Sequence, residues 1–184
     1  LVGSEMCIRD SHDEDEDHDE EEHEEGHDDH GGLILANYLQ EDAELDGYEL
    51  EIGRVFNLAS GDLEVSFSRD VVNGSLSSGM NIPRMSPARN IYSVGYSVND
   101  YLFDLSFKDV DSQTDTAEEE SATSGYQMLD AKLVRTFDLN GSSLRVSVFA
   151  NNLLDEVARN HASFVKNQVP LPGKNFGLRF NLSF

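Results

Sequence analysis

The last ten residues, "NFGLRFNLSF", put Phe176, Leu178, Phe180, Leu182 and Phe184 on one side of an extended chain and Gly177, Arg179, Asn181 and Ser183 on the other. Successive side chains of a strand point to opposite faces, so this unbroken period of two describes a strand with one apolar and one polar surface. The pattern recurs upstream. Leu144, Val146, Val148 and Ala150 oppose Ser143, Arg145 and Ser147; Tyr101, Phe103, Leu105 and Phe107 oppose Asp104, Ser106 and Lys108; and Tyr92, Val94, Tyr96 and Val98 oppose Ser93, Gly95 and Ser97. Read through the chain, the alternation predicts seven strands, at about 33–58, 62–72, 89–98, 101–109, 125–138, 143–151 and 175–184, and no helix. Arg54 and Arg135 interrupt otherwise apolar faces, which a lipid-facing strand tolerates only near its ends. Leu45 and Tyr48 share a face only if a bulge shifts the register near Asp46-Gly47.

Alternation suits a soluble sandwich and a membrane barrel equally, and the connections separate them. Three are short turns, "ASG" at 59–61, "ND" at 99–100 and "LNGS" at 139–142; three are long and polar, 73–88, 110–124 and 152–174. Short and long alternate strictly, as the periplasmic turns and extracellular loops of an outer-membrane barrel do, whereas a sandwich has no reason to sort its connections. The expected fold is therefore all-β, an antiparallel up-and-down meander of about seven strands in a transmembrane β-barrel wall. With the C-terminal Phe184 at the periplasmic rim, counting back makes the segment before residue 33 extracellular, provided that 33–58 is one strand. If Asp46-Gly47 were a hairpin turn instead, that segment would move to the periplasmic side.

That segment dominates the electrostatics. The net charge is −23, and residues 12–30 alone hold thirteen Asp and Glu with no Lys or Arg. Such a tract disfavours nucleic acid and attracts cations. Interleaved with the carboxylates are His12, His18, His23, His27 and His30, within reach of Asp17, Asp19, Glu22, Glu24, Asp28 and Asp29. Neutral imidazole and carboxylate are zinc ligands, and imidazole favours zinc, copper, nickel and cobalt over calcium and magnesium. On a helix His23, His27 and His30 would share a face, but the glycines and charge density favour a loop that orders around an ion. The plain alternative is a solvated acidic loop, bridging lipopolysaccharide through divalent ions. The run Glu118–Glu120 has no histidine and reads as solvated.

Residues 1–11, "LVGSEMCIRDS", resemble sequencing-adapter readthrough and are expected to be a non-native scar, which leaves the sole cysteine, Cys7, without weight. With one cysteine there is no internal disulfide. No 18-residue apolar run marks a transmembrane helix, and the first residues lack the layout of a signal peptide. No nucleophile with a nearby base, phosphate loop, HExxH or CxxC is present, so an enzyme is not expected.

Residues 148–184 carry "NNLLDE" at 151–156, "HASF" at 161–164, "PLPGKNF" at 170–176 and a terminal Phe. This stretch resembles the C-terminus of a TonB-dependent outer-membrane receptor. "IPRMSPARN" at 82–90, "SGYQMLDAKL" at 124–133 and "QEDAELDGYELE" at 40–51 are similar to upstream barrel segments of that family. The acidic histidine tract together with "HASF" and "PLPGKNF" is most similar to the zinc-uptake, ZnuD-type, group. The resemblance implies a 22-stranded barrel with a plug, sited in the outer membrane of a Gram-negative bacterium and energised by TonB. On that pattern residues 33–184 are C-terminal strands and 12–32 an extracellular loop, the chain being a fragment with neither plug nor TonB-contacting segment. The implied partners are outer-membrane lipid, a divalent metal ion and, in the complete receptor, TonB, with no nucleic acid. The implied cargo is zinc or a related divalent metal, with no prosthetic group. His161 is implied as a metal ligand at the mouth, against the alternative of a loop histidine bonded to a neighbour. Asp155 and Glu156 read as strand-exit residues, and Pro170, Pro172 and Gly173 as guidance into the last strand. A siderophore, haem or cobalamin receptor with an incidental acidic loop, a non-transporting barrel or adhesin, and a soluble β-sandwich module stay open as alternatives.

Overall fold

In the computed structural model, which describes residues 40–184, the chain forms one seven-stranded antiparallel sheet. The strands are β1 (Ala43–Leu58), β2 (Gly61–Leu76), β3 (Arg89–Val98), β4 (Tyr101–Val110), β5 (Tyr126–Leu139), β6 (Ser142–Asn151) and β7 (Asn175–Ser183). Each is hydrogen-bonded to its neighbours in sequence, the up-and-down meander that the alternation predicts. Residues 1–39, with the expected scar, the acidic tract and the start of the first predicted strand, lie outside the described residues.

β1 is one uninterrupted strand, so Asp46-Gly47 is not a hairpin turn. Its pairing with β2 runs without a break from Ala43↔Leu76 to Leu58↔Gly61, which also carries β2 to Leu76, past the predicted end at 72. No bulge shifts the register: Leu45 and Tyr48 lie on opposite faces. Leu45 packs over Gly74, where an added Cβ would come within 2.8 Å of it, and the Tyr48 hydroxyl accepts a hydrogen bond from Arg69 Nε at 2.9 Å.

The short connections have turn chemistry. Asn140 and Gly141 both take left-handed φ, 41° and 99°, as the type I′ turn requires and Asn-Gly supplies at low cost. Asn99 does the same with φ 51°.

Register converts the alternation of single strands into one continuous surface. Ile52 faces Phe67, Phe67 faces Tyr92, and Tyr92 faces Phe107. Four residues along, Phe56, Leu63, Tyr96, Phe103, Leu133, Val148 and Leu178 form an apolar row across all seven strands. Towards the long loops this face turns polar: Arg69 Nη1 donates to Asn90 Oδ1 at 2.8 Å and Gln127 Nε2 to Asp109 Oδ1 at 3.0 Å. The opposite face is polar for most of its extent, with Ser66, Ser93, Ser106 and Asp130 in register.

No second sheet covers the apolar face among the described residues. Phe176 is 70% exposed, and Leu178 and Phe180 64% each. In water such a surface would be an aggregation hazard, far larger than a soluble protein leaves open. A band of apolar side chains on one side of a single-layer antiparallel wall is what a membrane barrel presents to lipid. A soluble sandwich would instead close two sheets over a shared core.

Candidate functional site at the long-loop rim

In a meander every second connection returns to the same end of the sheet, so loops 77–88, 111–125 and 152–174 gather at one rim. The last of them starts on a rigid base. Asn152 is fully buried with φ 50°; its amide donates to Asp130 Oδ1 at 2.8 Å. Asn152 Nδ2 donates to the carbonyls of Glu156 and Pro172, at 2.9 and 3.2 Å, while Oδ1 accepts the Glu156 amide at 2.9 Å. One amide side chain thus ties the start of the loop to its end. Asp155, at φ 57°, accepts the Lys174 amide through Oδ1 at 3.1 Å, so the motif "NNLLDE" shapes the exit from β6 and the entry to β7.

At the centre of the rim lies Glu120, with its side chain only 9% exposed. This corrects the expectation that the run Glu118–Glu120 is simply solvated: Glu118 and Glu119 are exposed, and Glu120 turns inward. Its carboxylate takes donors from all three loops. Lys166 Nζ lies 2.8 Å from Oε1 and His161 Nε2 lies 3.1 Å from it. The Arg84 amide donates to both oxygens at 3.0 and 3.2 Å, and the Ala117 amide to Oε2 at 3.2 Å. Weaker ties run alongside: Asn81 Nδ2 to the Thr116 carbonyl at 3.0 Å, Gln113 Nε2 to the Met85 carbonyl at 3.2 Å, and Asn167 Nδ2 to Ser121 Oγ at 2.8 Å. The Arg84 guanidinium covers the Phe164 ring, 3.6 Å from its centroid.

His161 is 1% exposed, held between Glu120, Thr123 and Lys166. Glu120 accepts only, so Nε2 carries the proton that it donates, and Nδ1, 2.9 Å from Thr123 Oγ1, accepts the hydroxyl proton. Both ring nitrogens are therefore engaged. Lys166 Nζ stands 3.4 and 3.3 Å from Nδ1 and Nε2. Nε2 carries a proton and the Nδ1 lone pair is taken by Thr123, so the lysine is a close charge rather than a hydrogen-bond donor to the ring.

The electrostatics follow from the contacts. Burial pushes the Glu120 carboxyl up, but the Lys166 ammonium and the Ala117 and Arg84 amides outweigh it and hold the carboxyl down at about 2. Burial lowers the His161 imidazole, the Lys166 charge lowers it further, and Glu120 opposes both without reversing them. The pair is a carboxylate with a neutral imidazole beside a buried ammonium.

Of the metal-ligating residues suggested by the sequence, His12, Asp17, His18, Asp19, Glu22, His23, Glu24, His27, Asp28, Asp29 and His30 lie outside the described residues. Only His161 is placed, and it sits within the loop packing. Among the described residues no group of three or more His, Cys, Asp or Glu is arranged to hold a metal ion. Glu120, Lys166, Thr123 and Arg84 were not singled out by sequence reasoning. Isolated charges in separate loops, 46 positions apart in the case of Glu120 and Lys166, carry no local pairing signal.

Neither a protein-family profile nor a curated protein sequence matches the chain. Among solved structures, one described as the copper transporter OprC superposes with a TM-score of 0.69 at 18% identity, over 78% of this chain and 24% of that one. The chain thus spans about a quarter of that structure's length. What the two share is the fold, which in this chain is a seven-stranded antiparallel meander.

Proposed function

We propose that the chain is part of the wall of a TonB-dependent receptor in the outer membrane of a Gram-negative bacterium, and that the receptor captures and imports zinc or a related divalent metal. The observation that carries the reading is the sheet itself: a continuous apolar face across seven strands, with every long loop at one rim. Its fold is shared with a structure described as a copper transporter. On this reading the complete barrel has 22 strands, closed by segments beyond these seven, and works with TonB. On this reading the acidic histidine tract, residues 12–32, is an extracellular loop at the barrel mouth. Its imidazoles and carboxylates concentrate borderline divalent cations at the mouth as a many-ligand attractor, with His161 a candidate further ligand once the rim opens.

The test is uptake by the full receptor in a host lacking its own outer-membrane zinc receptors. Growth under zinc limitation, lost when residues 12–30 are deleted, supports the reading. Rescue by iron-siderophore, haem or cobalamin but not by zinc or copper would replace it with a chelate receptor. Titration of a synthetic 11–32 peptide isolates the tract: zinc and copper should bind more tightly than calcium, and the reverse order sinks the metal-selective role.

A further inference from the structure

β1 ends in "RVFNL", residues 54–58, and β5 in "RTFDL", residues 135–139, and each runs into a two-residue turn, Ala59-Ser60 or Asn140-Gly141. The two copies have the same geometry. Arg54 pairs with Val65 across the sheet, and Arg135 with Tyr101 and Val146, so both side chains sit on the apolar face near the short-turn rim. Each guanidinium rests on the ring two residues further on, 5.0 Å from the Phe56 centroid and 4.4 Å from that of Phe137; Arg135 also lies 4.9 Å from Tyr101. Both arginines are exposed. Neither takes part in the ion pairs among the described residues. β3, between them, keeps the aromatic position with Tyr96 but has Val94 where the others have arginine.

An arginine on a lipid-facing strand is costly at mid-depth and tolerated near the interface, where its stem lies along apolar surface and its head reaches water. Stacking on a ring occupies the face of the guanidinium and leaves its planar fork of N–H donors unspent. At the edge of an apolar band, the group that matches such a fork is a phosphate ester.

We propose that Arg54 and Arg135 are two lipid-phosphate sites. Each takes the headgroup phosphate of an anionic phospholipid in the leaflet at the short-turn rim, with the acyl chains along the apolar rows above it. The proposal rests on the membrane-barrel reading.

The full receptor, purified in non-ionic detergent with equal phosphatidylglycerol and phosphatidylethanolamine, is examined by native mass spectrometry, with heat-modifiable gel migration reporting barrel integrity for each variant. The wild type should retain phosphatidylglycerol preferentially. Arg54→Gln and Arg135→Gln should each lower retention about fivefold, the value of one basic side chain at an anionic surface, and Arg→Lys should restore part of it. A folded double Gln variant with unchanged retention overturns the proposal, as does a wild type without headgroup preference. Release of the lipid by excess inorganic phosphate also overturns it, in favour of a free-anion site. A receptor that stays in the soluble fraction and is not heat-modifiable overturns this and the membrane-barrel reading together.

Discussion

Glu120 Oε1 and Lys166 Nζ lie 2.8 Å apart across 46 residues of sequence, joining two long loops, while the Arg84 amide brings the third loop to the same carboxylate. The two side chains are 9% and 7% exposed. Removing one charge from such a pair strands the other away from water and costs on the order of 3 kcal/mol. Glu120→Gln in the receptor should therefore open the rim, raising cleavage within 111–125 and 152–174 by on the order of a hundredfold under limited proteolysis. The double variant Glu120→Met, Lys166→Met should recover only part of the protection, because the Arg84 and Ala117 amides lose their acceptor. Full recovery would mean that the amide contacts contribute nothing.

Acid should loosen the same rim in two stages. The His161 imidazole lies below its ordinary 6.5, so the folded state holds it neutral; its contribution is present above pH 6.5 and is lost as pH falls below that value towards the lowered pKa. Glu120 lies at about 2 instead of 4.5, so its contribution persists down to about pH 4.5 and is lost as pH falls through about 2. Cleavage within the two loops should accordingly rise between pH 8 and pH 5.5, and again below pH 4.5. His161→Gln should flatten the first rise and keep the second. An unchanged first rise in that variant would assign it to another group.

The contrast between wall and rim shows what a single sequence can display. The strands were legible because each carries its own period of two, and the turns because Asn140-Gly141 states its geometry locally. The short turns fix the register within β1–β2, β3–β4 and β5–β6, but the row from Phe56 to Leu178 also crosses three long-loop pairs, such as Leu63 with Tyr96, whose register no local turn states. The β2 extension to Leu76 was not legible either: Asn73, Gly74 and Ser75 look like loop residues, and only pairing with Ala43 to Asp46 makes them strand. Glu120 was hidden for the same reason, since nothing in "EEE" says which carboxylate meets a lysine in another loop. His161 was singled out by its motif, but burial between Thr123, Glu120 and Lys166 belongs to the assembled loops.

Asn152 separates two costs at one position. Asn152→Ala removes the partners of the Glu156 amide and of two carbonyls, Glu156 and Pro172, and places a Cβ-bearing residue without a local hydrogen bond at φ 50°. The expected loss is about 3 kcal/mol, seen as a lower midpoint of heat-modifiable unfolding. Asn152→Gly keeps the hydrogen-bond loss but relieves the left-handed strain, and should be milder by about 1 kcal/mol. Equal midpoints for the two variants would remove backbone strain from the account.

Gly177 and Phe149 face each other across β6 and β7, and the ring occupies the space that a side chain at 177 would need. A Cβ there would lie 2.2 Å from Phe149 Cζ and 2.6 Å from Cε2. The glycine exposes strand backbone, the ring covers it, and the Arg179 guanidinium stands 6.0 Å from the ring centroid on the same face. Gly177→Ala must push the ring aside, at a cost of about 1–3 kcal/mol typical of overpacking. Phe149→Ala alone uncovers the glycine and should also destabilise β7. The two changes remove the same contact, so the double variant should be more stable than the sum of the single losses predicts, by at least about 0.5 kcal/mol. Urea unfolding of the four forms in vesicles measures the coupling, and strict additivity would show that ring and glycine act independently.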